Sequence, residues 1–329
     1  MCRHNSQTRS GVKDLIRPPA TQPLTELCDW AEIQAISSHR KATTQGDIIK
    51  IIQPDDLFGT VDNEPEDDAE ADESLADDVL GLALKRKELL GKAYPFRITN
   101  RALEYLPVLK YTSGSAYLFY LLFCTLDSNN ISPDARHQFE IESQYILHEF
   151  FGGESFHFGW TIHNSSLGKI KKRISLFCEE SKLGWNIRDP LNVSPNSNDI
   201  EIDAIVWKVP SDNRGNAFVV LGQCASGHDW PSKILTSARA KLEDCLDATR
   251  DGPWITCFCT PFQIPDSKWR ESARSHDGML FDRIRLVLET SWQDTAQYGN
   301  LSCKESLKWL REKMTLIEGT NVTVSSLAS

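Results

Sequence analysis

One stretch, residues 199–230, constrains the fold more than any other part of the chain. From Ile200 to Trp207 the residues follow a period-two pattern, which is typical of a β-strand. A polar segment over 208–216 predicts a turn, and residues 217–222 read AFVVLG, a run typical of a strand that is buried on both faces. The pattern therefore predicts a β-hairpin inside a buried sheet.

Two polar side chains belong to this hairpin. Asp203 is expected late on the first strand, and Gln223 closes the second. A hairpin can bring the two side-chain oxygens to neighbouring positions at one end of a sheet. Because buried polar groups cost free energy unless something pairs with them, a bound divalent cation is the partner that the sequence favours.

A helix is predicted from Pro133 to the glycine pair at 152–153, since glycine commonly follows a helix end. On this helix Glu140, Gln144 and His148 are spaced to share one face. Such a polar stripe either faces solvent or directs Glu140 into the site predicted at the hairpin. The sequence leaves both interpretations open.

Basic residues are concentrated on two further predicted helices. The first, over 165–181, has an apolar side and a polar side that is either solvated or suited to holding phosphates. The second follows the hairpin, over 231–249. The cations considered for nucleic-acid or phosphate contacts are Lys169, Lys171, Lys172, Arg173, Lys233 and Lys241.

The net charge of −10 arises from one segment. Residues 55–78 contain twelve acidic and no basic residues, so the rest of the chain carries about two positive charges. Nucleic acid is therefore not excluded as a partner. The segment itself is expected to be a flexible acidic loop, or an autoinhibitory segment that competes for a basic groove.

Five regions are predicted along the 329 residues: a disordered tail (1–20), a helical N-terminal module containing the acidic loop (21–128), a core (129–265), C-terminal helices packed on that core (266–318) and a tail (319–329). The nine cysteines are scattered without a CxxC pair, which favours reduced thiols and a cytoplasmic location. The most apolar stretch, 116–126, is about half the length that spans a bilayer. No membrane association is expected.

From residue 133 the predicted order is helix, irregular or strand segment, strand, strand, helix, strand. This order resembles the restriction-endonuclease-like core of the PD-(D/E)XK nuclease superfamily, an α/β fold with a mixed central sheet flanked by helices. Glu140, Asp203 and Gln223 match its acidic positions, and glutamine in the second motif resembles the Mrr-like branch, which acts on DNA. The resemblance covers about residues 133–265. The chain departs from the family at Ala225, where the superfamily has lysine.

The resemblance implies metal-assisted hydrolysis of DNA phosphodiester bonds. Mg²⁺ or Mn²⁺ would be bound by Asp203, Gln223 and the carbonyl of Cys224, with Glu140 binding directly or through water. Two lysines could supply the amine that position 225 lacks: Lys233, which is favoured because it lies one loop later, and Lys241, which lies two turns further along the next helix.

The resemblance implies an effector of bacterial restriction or anti-phage defence. The alternative is an inactive module of the same fold that binds DNA or a partner protein. Because the sequence contains no nucleotide-binding motif, a protein partner, such as an ATPase or helicase subunit, or self-association is expected.

Overall fold

The computed structural model describes residues 23–52, 66–108, 112–159, 169–188, 200–212, 214–233, 235–247, 252–276, 278–290 and 301–319. The helices in these residues are α1 (Leu24–Ser37), α2 (Gln45–Ile52), α3 (Glu66–Leu90), α4 (Ser113–Thr125), α5 (Pro133–Phe151), α6 (Lys169–Ser181), α7 (Leu235–Cys245), α8 (Asp266–Ser275), α9 (Arg283–Leu288) and α10 (Leu301–Gly319). Short 3₁₀ turns cover Gly91–Ala93, Ser128–Asn130 and Trp230–Ser232. The predicted tail 1–20 and residues 320–329 lie outside the described part.

The strands in the described residues are β1 (Ala42–Thr44), β2 (Phe96–Thr99), β3 (Ala102–Tyr105), β4 (Glu154–His157), β5 (Asn186–Ile187), β6 (Ala204–Lys208), β7 (Phe218–Cys224), β8 (Leu246–Asp247), β9 (Trp254–Cys259) and β10 (Met279–Phe281). Five of them form the main sheet, in the order β10-β9-β7-β6-β4. Strand β6 pairs antiparallel with β4 on one side and with β7 on the other. Strands β7, β9 and β10 run parallel to one another. The chain therefore has a mixed α/β fold with a mixed central sheet.

The predicted hairpin is confirmed as the β6–β7 pair, whose register runs from Ala204 opposite Gly222 to Lys208 opposite Phe218. Alternate residues of β6 enter two separate cores. Val206 packs in the core that α4, α5 and α10 share, whereas Trp207 packs in the core that α6 and α7 share. Both faces of the hairpin are thus covered by helices, which is why β7 is a nearly continuous apolar run.

The N-terminal half differs from the prediction in three respects. Strands β1, β3 and β2 form a small antiparallel sheet within the module that the sequence analysis treated as helical. The three-residue spacing of apolar positions from Leu24 to Ile36 predicts a helix that is buried on one side, but α1 is buried along almost its whole surface, because α3, α4 and β3 surround it. Residues 66–78, expected in the acidic loop, belong to helix α3, and residues 53–65 lie outside the described part.

The C-terminal part also differs from the sequence-based expectation. Within 266–318, where the sequence predicts helices packed on the core, Met279–Phe281 form strand β10, which extends the sheet beside β9, and α9 begins only at Arg283. Apolar residues in a short run cannot distinguish a buried strand from a buried helix. Asp282 separates the two elements, and its carboxylate accepts the backbone N–H of Arg285 at the start of α9.

Helix α4 contains most of the apolar stretch 116–126, and every one of its residues is buried. It lies in the centre of the larger core, against α1, α9 and α10. No helix in the described ranges combines the length and the apolar character that crossing a membrane requires.

Helix α5 is bounded as its sequence predicts. The Ser132 hydroxyl accepts the backbone N–H of Ala135 at 3.1 Å, and Pro133 occupies the first turn. At the other end Gly152 has φ +69° and Gly153 has φ +104°, conformations that side chains disfavour. A Cβ at Gly153 would lie 2.2 Å from the Trp207 carbonyl oxygen, so this glycine lets the chain reverse directly from α5 into β4.

The position of α5 on the sheet depends on one small residue of β7. A Cβ at Gly222 would lie 2.7 Å from Leu147 Cδ1 of α5. Because Gly222 has no side chain, the helix can lie close to strands β6 and β7. This contact fixes the part of α5 that carries Glu140 relative to the ends of the two strands.

Candidate functional site at one edge of the sheet

Asp203 and Gln223 lie side by side at the open end of the hairpin. The Asp203 N–H donates to the Gly222 carbonyl at 2.9 Å, and the Cys224 N–H donates to Asp203 Oδ2 at 2.6 Å. Asp203 directly precedes β6, so its expected position late on that strand is wrong. In an antiparallel hairpin the start of the first strand lies opposite the end of the second. Because Gln223 lies near the end of β7, its neighbour on the other strand must lie at the start of β6.

Gln223 carries an acceptor atom that the fold does not satisfy. Its side chain is 5% exposed, and its Oε1 is buried without a hydrogen-bond partner. An unsatisfied buried acceptor costs about 1–3 kcal/mol. A cation bound at this oxygen would remove that cost. Asp203, 8% exposed, supplies a carboxylate that accepts the backbone N–H of Cys224, the residue after Gln223.

The helix face that carries Glu140 packs against the sheet, so the solvent interpretation is wrong for its first two residues. Glu140 Oε2 lies 3.3 Å from His157 Nε2, at the end of β4, and 3.7 Å from His137 Nδ1, one turn earlier on α5. One turn later, Gln144 Nε2 donates to Ser155 Oγ at 2.9 Å.

Gly159 connects Glu140 with the hairpin. The Gly159 N–H donates to the Asp203 carbonyl at 2.9 Å, which continues the pairing of β4 with β6 beyond the strand end. A Cβ at this glycine would lie 2.3 Å from Glu140 Oε2 and 2.9 Å from His157 Nε2. The fold therefore brings Glu140 and Asp203 to one glycine, and Gln223 is adjacent to Asp203 through Cys224.

Two pKa shifts follow from this arrangement. Burial alone would raise the pKa of Glu140, but its polar contacts with His137 and His157 outweigh burial and lower the pKa. Glu140 is therefore ionised at neutral pH. The pKa of the Cys224 thiol is raised by burial, by its contact with Cys259, and by the negative charges of Asp203 and Glu140. The thiol stays neutral and is not a nucleophile.

Position 225, where the PD-(D/E)XK superfamily has lysine, carries an alanine whose surroundings are apolar. Ala225 is buried with Phe258, Ile264 and Leu280, and its N–H donates to the Cys259 carbonyl at 2.9 Å. Lys233 lies in an exposed turn two residues before α7, with its Nζ 3.1 Å from Asp229 Oδ2. That the Lys233 amine reaches the site stays a prediction.

One of the predicted phosphate-binding cations contacts the site region directly. Arg173, on α6, donates from Nη1 to the Phe158 carbonyl at 2.9 Å, next to Gly159. Lys171 and Lys172 are exposed on the same helix, and the side chain of Lys169 lies outside the described part. Lys241, on α7, pairs with Glu201 Oε1 at 3.1 Å. Phosphate binding by these residues stays a prediction.

Sequence reasoning missed two residues, His137 and His157. His137 had a detectable signal, because it lies three residues before Glu140 and so shares its helix face. His157 had none, since its contact with Glu140 depends on how β4 folds back along α5.

Comparison of the chain with models of known protein families found no match, and no curated protein or solved structure is significantly similar to it. The function must therefore be argued from the geometry of the site.

Proposed function

We propose that this chain is a metal-dependent nuclease that hydrolyses DNA phosphodiester bonds, with a restriction-endonuclease-like core. The order α5, β4, β6, β7, α7, β9 supports the core assignment, because helix, three strands, helix and strand is the order that the resemblance implies. Helix α6 is inserted between β4 and β6. Strand β9 pairs in parallel with β7, as expected when a helix connects two neighbouring strands.

The observation that carries the proposal is the buried, unpartnered Gln223 Oε1 beside the Asp203 carboxylate. With the Cys224 carbonyl, these groups provide the oxygen donors that Mg²⁺ or Mn²⁺ prefers. Glu140 would add an ionised carboxylate, for which Gly159, bonded to the Asp203 carbonyl, leaves space. The bound ion would polarise a phosphate oxygen and lower the pKa of a bound water.

The chain's own cations would hold the phosphate. Arg173 is fixed by the Phe158 carbonyl beside the strand end, and a guanidinium can bind two phosphate oxygens at once. Lys171 and Lys172 extend the positive charge along the exposed side of α6 and would add contacts that carry no sequence information. A role as an effector of restriction or anti-phage defence, and a partner that controls it, belong to the same proposal.

A second candidate is an inactive module of this fold that binds DNA or a partner protein. It is favoured by Ala225, which fills the lysine position with a methyl group inside an apolar cluster. It is also favoured by the ion pair that Lys233 makes with Asp229.

Plasmid cleavage separates the two candidates. Wild-type protein is incubated with supercoiled DNA and Mg²⁺ or Mn²⁺, beside Asp203→Asn and the matched surface control Asp212→Asn, which alters a carboxylate in the β6–β7 turn. Nicking by the wild type and the control, but not by Asp203→Asn, supports the nuclease. DNA binding without cleavage by any of the three supports the inactive module. Equal cleavage by all three would refute the assignment of the site.

A further inference from the structure

Three donor atoms on α5 and β4 meet at one point. They are His137 Nδ1, Glu140 Oε2 and His157 Nε2, and all of them lie within 4.8 Å of one another. From these atoms we propose a separate binding site for a first-row divalent transition ion such as Zn²⁺. It is centred on the two histidines and not on Asp203 and Gln223, it shares only Glu140 with the oxygen-lined site, and it does not depend on nuclease activity.

The spacing of the donors suits such an ion. Tetrahedral zinc, bound at about 2.0–2.1 Å, holds its ligand atoms roughly 3.3 Å apart. Glu140 Oε2 lies 3.3 Å from His157 Nε2 and 3.7 Å from His137 Nδ1. The two imidazole nitrogens lie within 4.8 Å of each other, so they must approach by at most about 1.5 Å for all three donors to share one tetrahedral cation.

Hydrogen bonding within the cluster does not account for this arrangement. One ring N–H of His157 can satisfy Glu140, but His137 Nδ1 is buried and makes no hydrogen bond. The rings of His137 and His157 pack edge to face with centroids 4.8 Å apart, so neither can turn away without losing this contact. A cation between them would bind His137 Nδ1, which makes no hydrogen bond and lies 3.7 Å from Glu140 Oε2.

The chemistry of the donors selects the ion. Two imidazole nitrogens and one carboxylate oxygen suit Zn²⁺ and similar borderline ions, whereas Mg²⁺ prefers oxygen donors alone. Three protein ligands leave a fourth position for water, which is the arrangement found in catalytic zinc sites. Gly159 supports the site because it leaves space for the Glu140 carboxylate.

The test is Zn²⁺ titration of the full-length chain by calorimetry, after chelator treatment and without DNA. Wild type is compared with His137→Gln, His157→Gln, Asp203→Asn and the matched control His148→Gln, on the same helix but outside the cluster. Circular dichroism checks that each variant is folded. His137→Gln is the decisive variant, because its Nδ1 has no hydrogen bond to lose.

The proposal requires that one Zn²⁺ binds per wild-type chain in the presence of excess Mg²⁺. The affinity should fall by about a hundredfold or more in both cluster variants, since losing even an outer partner of a ligand costs 10–100-fold. It should be unchanged in His148→Gln and Asp203→Asn. Equal affinities for His137→Gln and His148→Gln would overturn the proposal. An equal loss in Asp203→Asn and His137→Gln would overturn it too, because the ion would then lie at the oxygen site.

Discussion

Replacing Arg86 with methionine should destabilise the protein far more than removing an exposed arginine. The Arg86 guanidinium is fully buried, and its Nη1 lies 2.7 Å from Glu32 Oε1 and 2.8 Å from Asp29 Oδ1. Its Nε donates to Gln263 Oε1 at 2.6 Å, and its Nη2 donates to the Thr25 carbonyl at 3.2 Å. Arg86 thus joins α1 and α3 to the loop after β9.

The magnitude follows from the charge balance of the cluster. Arg283 pairs with Asp29 at 2.7 Å, so the wild-type cluster contains two buried cations and two buried carboxylates. Without Arg86, Asp29 keeps Arg283, but Glu32 keeps only neutral partners, chiefly the Tyr94 and Tyr117 hydroxyls. Breaking a buried ion pair by removing one partner costs about 3–5 kcal/mol. That loss is a large fraction of the free energy of unfolding of a typical domain, which is roughly 5–15 kcal/mol.

The assay is urea unfolding of the full chain followed by circular dichroism. The matched control is Arg97→Met. Arg97 is an exposed residue of β2 that pairs with Glu104 of β3, and its replacement should lower the free energy of unfolding by about 0–1 kcal/mol. A loss in Arg86→Met no larger than in this control would refute the reasoning, because Arg86 could then not be compensating buried negative charge.

A double variant tests the mechanism of the loss. In Arg86→Met/Glu32→Gln the uncompensated charge is absent, and the amide oxygen introduced at position 32 can still accept from the tyrosine hydroxyls. We expect the double variant to lose less free energy of unfolding than the sum of the two single variants, by about 0.5–3 kcal/mol. Strict additivity would show that packing, not charge, explains the single effects.

Three further predictions concern local stability, each measured by the same unfolding assay. Gly81→Ala should stabilise the protein by about 0.5–1 kcal/mol, because Gly81 is exposed within α3 and its Cβ would meet nothing within 4 Å; a destabilised variant would contradict this. Gly153→Ala should destabilise it by more than about 1 kcal/mol, since φ is +104° and the Cβ would overlap the backbone of β6; an unchanged midpoint would be the contrary result. Asp47→Ala should cost about 0.5–2 kcal/mol, because the partly exposed Asp47 carboxylate and Thr44 cap the start of α2 reciprocally. Burial would raise the pKa of Asp47, but the hydrogen bonds that its carboxylate accepts from Thr44 outweigh burial and lower the pKa. The stabilisation by this carboxylate is therefore complete above the unfolded pKa of 3.8, and it is lost as pH falls through the folded pKa. The difference between wild type and Asp47→Ala should therefore shrink below about pH 4 and stay constant above about pH 5; the opposite trend would contradict the cap.

Local pattern predicted those elements whose boundaries are set by neighbouring residues. Helix α5 begins at a serine cap with proline and ends at a glycine pair, and all of these signals are contiguous in sequence. The β6–β7 hairpin follows from its alternation and its polar turn. Residues 66–78 were assigned wrongly because their acidic composition obscured a helix, α3, whose apolar positions pack on α1 and α2.

The candidate site was predictable only in part. Asp203 and Gln223 could be paired from the sequence, because a hairpin relates its two strands by local geometry. His157 could not be linked to Glu140, since that contact depends on the tertiary packing of β4 against α5 after the chain reverses at Gly152 and Gly153.

The sequence by itself determined the hairpin, the caps of α5 and the approach of Asp203 to the end of the second strand, since each depends on interactions that are local in the chain. Only the tertiary structure decided which charges are buried and which side chains meet. Arg86 and Glu32 are separated by 54 positions, and each would be assigned to the surface by its residue type. They are buried because each neutralises the other, and that depends on how α1 and α3 pack together.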